Sequence, residues 1–400
     1  MLKLSSLRLL SKRRAADRPT PGYFSLIDLG ADTVKIVVVQ VQDEQVTVLG
    51  HSLASAQGCD IAGGRAQGAK LADAVNSALQ DAEDATEAIA GRKIVPDHAL
   101  FLLPDRSQLG KLFTVKQQRD NRRQPVTQAE LNALWERAFR LARQGLFELP
   151  DVGADWLPQT VTFAGLWLDG RLVNDPLGMF GRELTLSVYG TICQPAIARA
   201  LEKLAERLEL EIYRLVPASQ ALAGITPVKN ALVFDVGAEG SNCSLIRHDA
   251  LTAVGRVSQG GNFFNRAMCR SFKCNFDDAE SLKVAYTSQA LSELDDSLVR
   301  RSLHRPLNEW AEAMTEAVGQ MLNAAGETQL PCQLYFVGGS AILPGLQDRL
   351  LNVLKESDYA FKRAPEITLL GEAPLNGYAH NPTGFRGILF APVLSLAKTI

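Results

Sequence analysis

Two aspartates, far apart in the chain, stand in the same local pattern. Asp28 lies in FSLIDLGADTVKIVVVQ and Asp235 in ALVFDVGAEGSNCSLI, and each sits between an apolar run and a glycine-containing polar turn that leads into a second apolar run. We expect each segment to be a β-hairpin with the carboxylate at its tip. Mg²⁺ keeps most of its waters and needs one or two carboxylates nearby, so Asp28 and Asp235 are the predicted metal ligands, acting through water.

Glycine turns accompany both hairpins and recur in a third segment. LYFVGGSAILPGL supplies Gly338 and Gly339 after another apolar run. Backbone N–H groups can approach phosphates closely only where side chains are absent. Two matching hairpins also indicate a duplicated domain. The sequence therefore predicts a nucleotide site in a cleft between two related halves.

Composition restricts the class of protein. The chain has 400 residues, 46% hydrophobic and 22% charged, which is typical of a globular protein of more than one domain. The net charge of −2 gives no support for nucleic-acid binding. The six cysteines form no C-x-x-C pair and are expected to be thiols of a reducing compartment. The longest apolar runs are shorter than the ~18–20 residues of a membrane-spanning helix.

The first 21 residues differ from the rest. Residues 1–14 carry five cations and no acid, with leucines interspersed. One interpretation is a disordered basic tail. The other is a helix that lies on an anionic membrane surface.

The remaining chain alternates strand and helix patterns. The basic stretch 116–124 is expected to be a solvated loop. Thr127 to Glu130 fits a capping box at the start of a helix. The other predicted elements are strands at 24–30, 34–41, 46–54 and 98–104, a β-rich stretch at 160–193, and helices at 69–91 and 195–208.

Six motifs together resemble one superfamily, the actin-like ATPases, and within it the FtsA family of bacterial cell-division proteins. The resemblance runs from Tyr23 to Leu396. DLGADTVK and DVGAEGSN resemble the two phosphate segments, and VGGSAILPGL resembles the adenosine segment. NDPLGMFGREL resembles the insert domain of the FtsA family, and VSQGGNFFNRAM and DDAESLK resemble its glycine–asparagine turn and its ribose-contacting helix.

The resemblance implies an α/β architecture with the actin-like ATPase fold. Two duplicated ribonuclease-H-like domains would flank a nucleotide cleft, and a small α+β domain would be inserted in the first. The implied parts are a basic tail (1–21), subdomain IA (22–96, 187–228 and 372–400), subdomain IC (97–186), subdomain IIA (229–263 and 331–371) and subdomain IIB (264–330).

The resemblance also implies ATP and Mg²⁺ as cofactors. The residues that would bind the nucleotide are Asp28, Gly30, Ala31, Asp32, Lys35, Asp235, Gly237, Ala238, Gly240, Ser241, Gly261, Asn262, Glu280, Lys283, Gly338, Gly339 and Ser340.

Several residues depart from the family pattern. Asp32 and Glu239 add carboxylates where phosphates would lie, and like charges near a polyanion lower its affinity. The segment LVPASQALAG holds no carboxylate to activate water, which leaves Gln220 as the catalytic candidate. We therefore expect at most a weak ATPase.

The function implied is that of a cytoskeletal adaptor. It would self-associate into filaments and bind the C-terminal peptide of the tubulin-like FtsZ through residues 264–330. It would lie in the cytoplasm at the inner face of the cell membrane, with no nucleic-acid partner. FtsA-like proteins usually carry a basic amphipathic helix after the last domain, and this chain stops at Ile400, so residues 1–14 are the expected membrane contact.

Two other classes share the same hairpins. A PilM-like component of type IV pilus assembly is the alternative, and a peptide groove beside the insert would favour it. A sugar kinase needs an aspartate base and a larger substrate domain, and the sequence has neither pattern.

Overall fold

The computed structural model describes residues 22–42, 45–56, 68–371, 379–383 and 387–400. The predicted basic tail and its membrane contact lie outside these residues.

The described part of the chain contains both strands and helices. In chain order the strands are β1 (Gly22–Leu29), β2 (Thr33–Gln42), β3 (Gln45–Ser55), β4 (His98–Leu103), β5 (Gln108–Gln118), β6 (Leu157–Leu168), β7 (Arg171–Leu172), β8 (Glu183–Cys193), β9 (Glu211–Pro217), β10 (Asn230–Val236), β11 (Ser241–Arg247), β12 (Ala250–Val257), β13 (Gln329–Leu330), β14 (Gln333–Val337), β15 (Ala360–Phe361), β16 (Glu366–Leu369) and β17 (Ala379–His380). The α-helices are α1 (Gly68–Asp84), α2 (Glu87–Ala90), α3 (Gln128–Gly145), α4 (Pro195–Arg207), α5 (Ala218–Ile225), α6 (Gly261–Phe272), α7 (Phe276–Thr287), α8 (Glu293–Ala325), α9 (Leu346–Glu356) and α10 (Ala391–Ser395).

Two large sheets repeat one arrangement. The first sheet has the order β17-β3-β2-β1-β4-β9, and the second has the order β12-β11-β10-β14-β16. In the first, β1 pairs antiparallel with β2 and parallel with β4. In the second, β10 pairs antiparallel with β11 and parallel with β14. β1 and β10 are thus equivalent central strands, and each ends at one of the aspartate–glycine turns.

The strands are apolar because both sheets are covered on their faces. Leu26 and Ile27 of β1 and Leu232 and Phe234 of β10 are fully buried. Phe234 stacks on Phe336 of β14 with ring centroids 4.9 Å apart. Near-continuous hydrophobic runs are expected of strands buried on both faces. This burial stabilises the positions where the two central strands end.

A third sheet, with the order β5-β8-β6-β7, forms the insert together with α3. The helix begins at the predicted capping box, where Thr127 accepts from the Glu130 N–H and the Glu130 carboxylate accepts from the Thr127 N–H. Leu134 of α3 and Val188 of β8 are buried in a core that is separate from those of the large sheets.

The prediction of a solvated loop at 116–124 is wrong for residues 116–119, whereas residues 120–124 are exposed and lie outside helices and strands. β5 continues to Gln118, and the Arg119 side chain is only 2% exposed. Arg119 Nε donates to Glu130 Oε1 at 2.9 Å, and its Nη1 donates to the Gly181 carbonyl at 2.9 Å. The carboxylate that caps α3 thus also holds a buried arginine, which a charge count along the chain does not reveal.

The predicted helix over 69–91 is interrupted. α1 ends at Asp84, and the Thr86 hydroxyl donates to the Glu83 carbonyl and accepts from the Ile94 N–H. α2 then ends at Gly91, which has a φ of 70°.

Among the helices in the described ranges, none combines the length and the apolar character needed to cross a membrane.

Candidate functional site

The first turn of the candidate site joins β1 and β2. Asp28 and Lys35 face each other across the hairpin, and the lysine Nζ lies 2.8 Å from Asp28 Oδ2. The Gly30 N–H donates to the Thr33 carbonyl at 2.9 Å and closes the turn. Lys35 therefore neutralises the carboxylate at the tip of the hairpin.

The second turn joins β10 and β11 and rests on the start of α6. The Gly237 N–H donates to the Gly240 carbonyl, while the N–H groups of Gly261 and Asn262 donate to the carbonyls of Gly237 and Ala238 at 2.9 and 2.8 Å. A Cβ at Gly260 would lie 2.5 Å from the Gly237 oxygen, so this approach requires glycine. The glycine–asparagine turn seen in the sequence thus fixes the second turn in place.

The third turn follows β14 and lies against Asp235. Gly338 has a φ of 94°, and a Cβ there would lie 2.6 Å from Asp235 Oδ1. The Ser340 N–H donates to the Val236 carbonyl at 3.1 Å. A Cβ at Gly261 would lie 2.3 Å from Ser340 Oγ, so the second and third turns are in contact.

Two turns present backbone N–H groups that are not used within the described chain. In the first turn, the N–H groups of Ala31 and Asp32 donate no hydrogen bond to any described residue. The same is true in the second turn of the N–H groups of Ala238 and Glu239. Unused amides in a short turn form an anion-binding concavity.

Asn262 connects the two halves of the site. Its Nδ2 donates to Asp32 Oδ1 at 3.2 Å and to Glu239 Oε1 at 3.1 Å, although Asp32 belongs to the first sheet's hairpin. Burial raises the pKa of Asp32, the Asn262 hydrogen bond opposes this, and the charges of Glu280 and Glu239 raise the pKa further. The two carboxylates that depart from the family pattern are therefore close to each other and to α7.

The residues predicted to bind ribose form a partly buried network. Asn265 Nδ2 donates to Glu280 Oε2 at 2.5 Å, and Lys283 Nζ lies 2.7 Å from the same oxygen. Lys283 Nζ also lies 3.5 Å from the Gly261 carbonyl. Glu280 and Lys283 are thus a pair held next to the second turn, because Glu280 contacts Asn265 of α6 and Lys283 contacts Gly261 of α6.

Asp105 is a buried carboxylate that sequence reasoning missed. It follows β4, the parallel neighbour of β1, so it lies at the same sheet edge as Asp28. Its Oδ1 accepts from the Ser219 hydroxyl at 2.9 Å and from Gln108 Nε2 at 3.2 Å, while its Oδ2 has no partner among the described residues. Burial raises its pKa, and the charge of Arg256 lowers it. The sequence does contain a signal for Asp105, because it comes directly after a strand-like run. Parallel neighbouring strands end at the same edge of a sheet, so an acid at the end of one lies near an acid at the end of the other.

Asp235 is a strongly perturbed acid close to Asp28 and Asp105. Its pKa is raised from 3.8 to about 7, first by burial and then by the charges of Asp105 and Asp28, with Lys35 acting in the opposite direction. The carboxylates of Asp28, Asp105 and Asp235 are therefore close enough to influence one another. Such perturbation is common where acids meet a cation or a reacting group.

Most predicted site residues are brought together, with two exceptions. The Gln220 side chain accepts from the Thr160 hydroxyl at 2.8 Å and lines a groove beside the insert. The Ser241 hydroxyl donates to the Gln259 carbonyl at 2.7 Å and accepts from Trp310 Nε1 at 3.0 Å, so both of its roles are used within the protein.

The donor set suits a hydrated cation. Within the described ranges, no group of three or more His, Cys, Asp or Glu side chains is arranged to hold a metal ion directly. Mg²⁺ commonly keeps several waters and uses one or two carboxylates, which is what Asp28 and Asp235 offer.

Comparisons with known proteins agree with this architecture. No family model matches the chain. It is 22% identical to the cell division protein FtsA of Streptococcus pneumoniae, over 94% of this chain and 80% of that protein. It is 24% identical to FtsA of Enterococcus faecalis, over 94% of this chain and 83% of that protein.

Two solved structures share the fold. A chain of the PilM-PilN type IV pilus biogenesis complex matches with a TM-score of 0.61 and 16% identity, over 94% of this chain and 98% of that one. The ethanolamine utilization protein EutJ from Carboxydothermus hydrogenoformans matches with a TM-score of 0.52 and 15% identity, over 99% and 96%. The predicted actin-like ATPase fold and the likeness to FtsA are confirmed.

Proposed function

We propose that this chain, which has the actin-like ATPase fold and is similar to FtsA over most of its length, is an ATP-binding adaptor of bacterial cell division. It would bind FtsZ filaments, assemble with copies of itself, and attach at the inner face of the cell membrane. One observation supports the nucleotide proposal: Asp28 is close enough to Asp235 for its charge to raise the Asp235 pKa, and the turn at Gly338 lies against Asp235.

The residues of the cleft fit ATP with Mg²⁺. Asp28 and Asp235 would hold the cation through water, and the unused amides of the first two turns would receive the phosphates. Glu280 and Lys283 would contact the ribose, and the backbone of the turn at Gly338 and Gly339 would lie against the adenosine. When bound, Mg²⁺ neutralises phosphate charge that would otherwise repel the cleft's carboxylates.

We propose that turnover is slow. Asp32 and Glu239 add negative charge beside the amides that would receive phosphates. Gln220 is engaged with Thr160 on the side of the insert. ATP would then serve mainly to stabilise one arrangement of the two halves.

Calorimetric titration of the purified protein with Mg²⁺-ATP tests nucleotide binding. The Asp235→Asn variant should bind at least tenfold more weakly, while Asp358→Asn, an exposed change beyond α9, should bind like the wild type. Equal affinities for wild type and Asp235→Asn would show that the nucleotide does not bind beside Asp235. Hydrolysis at about 1 per second or faster would contradict slow turnover.

The FtsZ peptide would bind within residues 264–330. The segment LNEWAEAMTEAV, expected from the sequence to present this surface, buries Trp310 and Met314 completely. The exposed apolar side chains of α8 lie nearer its start, with Leu294 71% and Leu298 40% exposed. Arg300, 73% exposed, is close by and could meet an acidic peptide terminus.

Fluorescence anisotropy with a labelled FtsZ C-terminal peptide tests this surface. We expect Leu294→Asp to abolish binding and Leu369→Asp, on the exposed strand β16, to leave it unchanged. An equal loss of peptide binding in both variants would point to unfolding. Unchanged binding in both variants would show that the start of α8 is not the surface that binds the peptide. Electron microscopy of the protein with Mg²⁺-ATP tests filament formation separately.

Membrane attachment would use residues 1–14. Each of the five cations there contributes about 1 kcal/mol near an anionic surface. The full chain should co-sediment with anionic vesicles, and a chain beginning at Pro21 should not. Equal binding by both chains would remove this part of the proposal.

The alternative, a PilM-like function, would use one groove of the structure. A groove of about 1270 Å³ lies between the insert and β9, and Trp135, Phe139, Arg140 and Arg143 line it. The guanidinium of Arg143 lies 5.8 Å from the centroid of the Phe139 ring. Aromatic and cationic side chains suit a peptide with apolar and acidic residues, as a PilM-like protein would need for its membrane partner.

Charge reversal distinguishes the two functions. If the PilM-like function holds, the wild type should bind an inner-membrane pilus peptide, and Arg140→Glu should abolish that binding. Arg122→Glu, in the exposed loop after β5, is the matched control. Binding of the FtsZ peptide alone by the wild type would favour the division adaptor.

A further inference from the structure

Two cysteines flank the residue that ends α6. Cys269 lies in the last turn of the helix, which ends at Phe272. Lys273 has a φ of 57° and a ψ of 33°, in the left-handed region, and Cys274 follows it. A helix that ends in a left-handed residue turns its chain back, so the next side chain meets the one three residues before the helix end. Cys274 and Cys269 occupy these two positions.

The contacts around the thiols agree with this geometry. Cys269 Sγ lies 3.4 Å from the carbonyl oxygen of Asn275, the residue after Cys274. Asn275 is itself held, because its side chain accepts from the Asp278 N–H at 2.8 Å and caps α7. The α6–α7 junction is thus an ordered turn that brings the Cys269 sulfur against the backbone next to Cys274.

Both thiols are free and accessible. Cys269 and Cys274 are partly exposed, whereas Cys193 and Cys243 are buried. Burial raises the pKa of the Cys274 thiol, and the neighbouring Cys269 raises it further. Mutual influence of this kind is expected when two thiols are close.

We propose that Cys269 and Cys274 form a dithiol site that a small-molecule disulfide, of the glutathione type, oxidises to an intramolecular disulfide. The Cys269 thiolate attacks one sulfur of the small disulfide, forms a mixed disulfide and releases one small thiolate. The Cys274 thiolate then attacks the Cys269 sulfur, forms the Cys269–Cys274 bond and releases the second small thiolate. The two protein thiols lose two protons and two electrons, and the small disulfide gains the electrons.

The assignment of the two roles follows from the environment. A thiol with a raised pKa is less often ionised. Cys274 is therefore the poorer nucleophile for the first step, the attack on the small-molecule disulfide in solution. Its attack on Cys269 is intramolecular and depends on proximity instead. The left-handed turn supplies that proximity.

Peptide mapping of the oxidised full chain tests the proposal. Trypsin cleaves after Arg266, Arg270, Lys273 and Lys283, so the two cysteines fall in separate peptides, AMCR and CNFDDAESLK. After incubation with oxidised glutathione and alkylation, we expect these peptides to be joined, and the free thiols to fall by two, from six to four. Dithiothreitol should separate the peptides again.

Single substitutions make the result specific. Cys274→Ser should leave Cys269 as a mixed disulfide with glutathione, because no second thiol can displace it. Cys332→Ser, which removes another partly exposed thiol, should leave the AMCR–CNFDDAESLK link intact. The proposal is overturned if both peptides carry glutathione separately, if both stay reduced, or if either is joined to another cysteine such as Cys59.

Discussion

Asn262 Nδ2 lies 3.2 Å from Asp32 Oδ1 and so joins helix α6 of the second half to the hairpin turn of the first. The same nitrogen lies 3.1 Å from Glu239 Oε1. One neutral amide thus holds two carboxylates together beside the turns whose amides are unused. The closeness of these charges determines how the cleft would receive a polyanion.

The charge of Glu239 should weaken ATP binding. In Glu239→Gln the side-chain oxygen can still accept from Asn262, while the negative charge and its ion pair with Arg266, at 3.9 Å, are lost. Removing one like charge at a partly exposed site is worth about 1 kcal/mol, so the dissociation constant for Mg²⁺-ATP should fall about fivefold. Calorimetric titration measures this. Glu87→Gln, on the exposed helix α2, is the matched control, and a weaker or unchanged affinity for Glu239→Gln would rule out repulsion.

Asp235 should make stability depend on pH in the protein without added nucleotide. Its pKa is raised to about 7 from 3.8, so between these values the folded state binds more protons than the unfolded state. Stability attributable to this group is therefore present at low pH and is lost as pH rises toward 7. The Asp235→Asn variant lacks this loss. Relative to wild type, it should gain about 2 kcal/mol in free energy of unfolding between pH 5 and pH 8.

Urea unfolding at the two pH values measures that difference. Asp358→Asn, with its exposed side chain, should change stability equally at both pH values. A constant difference between wild type and Asp235→Asn would show that Asp235 titrates in its ordinary range.

Gly338 should not tolerate alanine. The new Cβ would lie 2.6 Å from both Asp235 Oδ1 and the Val236 carbonyl oxygen, and the φ of 94° is itself unfavourable. We expect Gly338→Ala to cost about 3 kcal/mol or more of folding free energy. Gly91→Ala separates the two causes, because Gly91 has a φ of 70° with nothing within 4 Å, and should cost only about 1 kcal/mol. Equal costs in thermal or urea unfolding would show that crowding at the third turn is unimportant.

Arg119 should stabilise the insert. Arg119→Ala leaves Glu130 without its buried partner and removes donors to the carbonyls of Gln124 and Gly181. Breaking a buried pair typically costs about 3 kcal/mol, and limited proteolysis should cut the insert first. Arg123→Ala, in the exposed part of the same loop, should cost less than about 0.5 kcal/mol. Similar stability of the two variants would contradict a structural role for Arg119.

The sequence predicted best where local chemistry decides the outcome. The turns at Asp28–Gly30 and Asp235–Gly237 were found because glycine and an acid between apolar runs leave few alternatives to a hairpin. The capping box at Thr127 was found for the same reason, since its donors and acceptors lie within one turn of helix. The interruption of the 69–91 helix was missed, because it depends on Thr86 meeting Ile94, a contact formed only after the chain turns.

By itself, then, the sequence determined the alternation of strands and helices, the duplicated hairpins and the resemblance to FtsA, all of which depend on residues near one another in the chain. Only the tertiary structure decided that Arg119 is buried, that Asp105 joins Asp28 and Asp235, and that Asn262 bridges Asp32 and Glu239. The physical reason is that burial and Coulomb interactions depend on distance in space, and parallel strands and packed helices bring together residues that the chain separates widely.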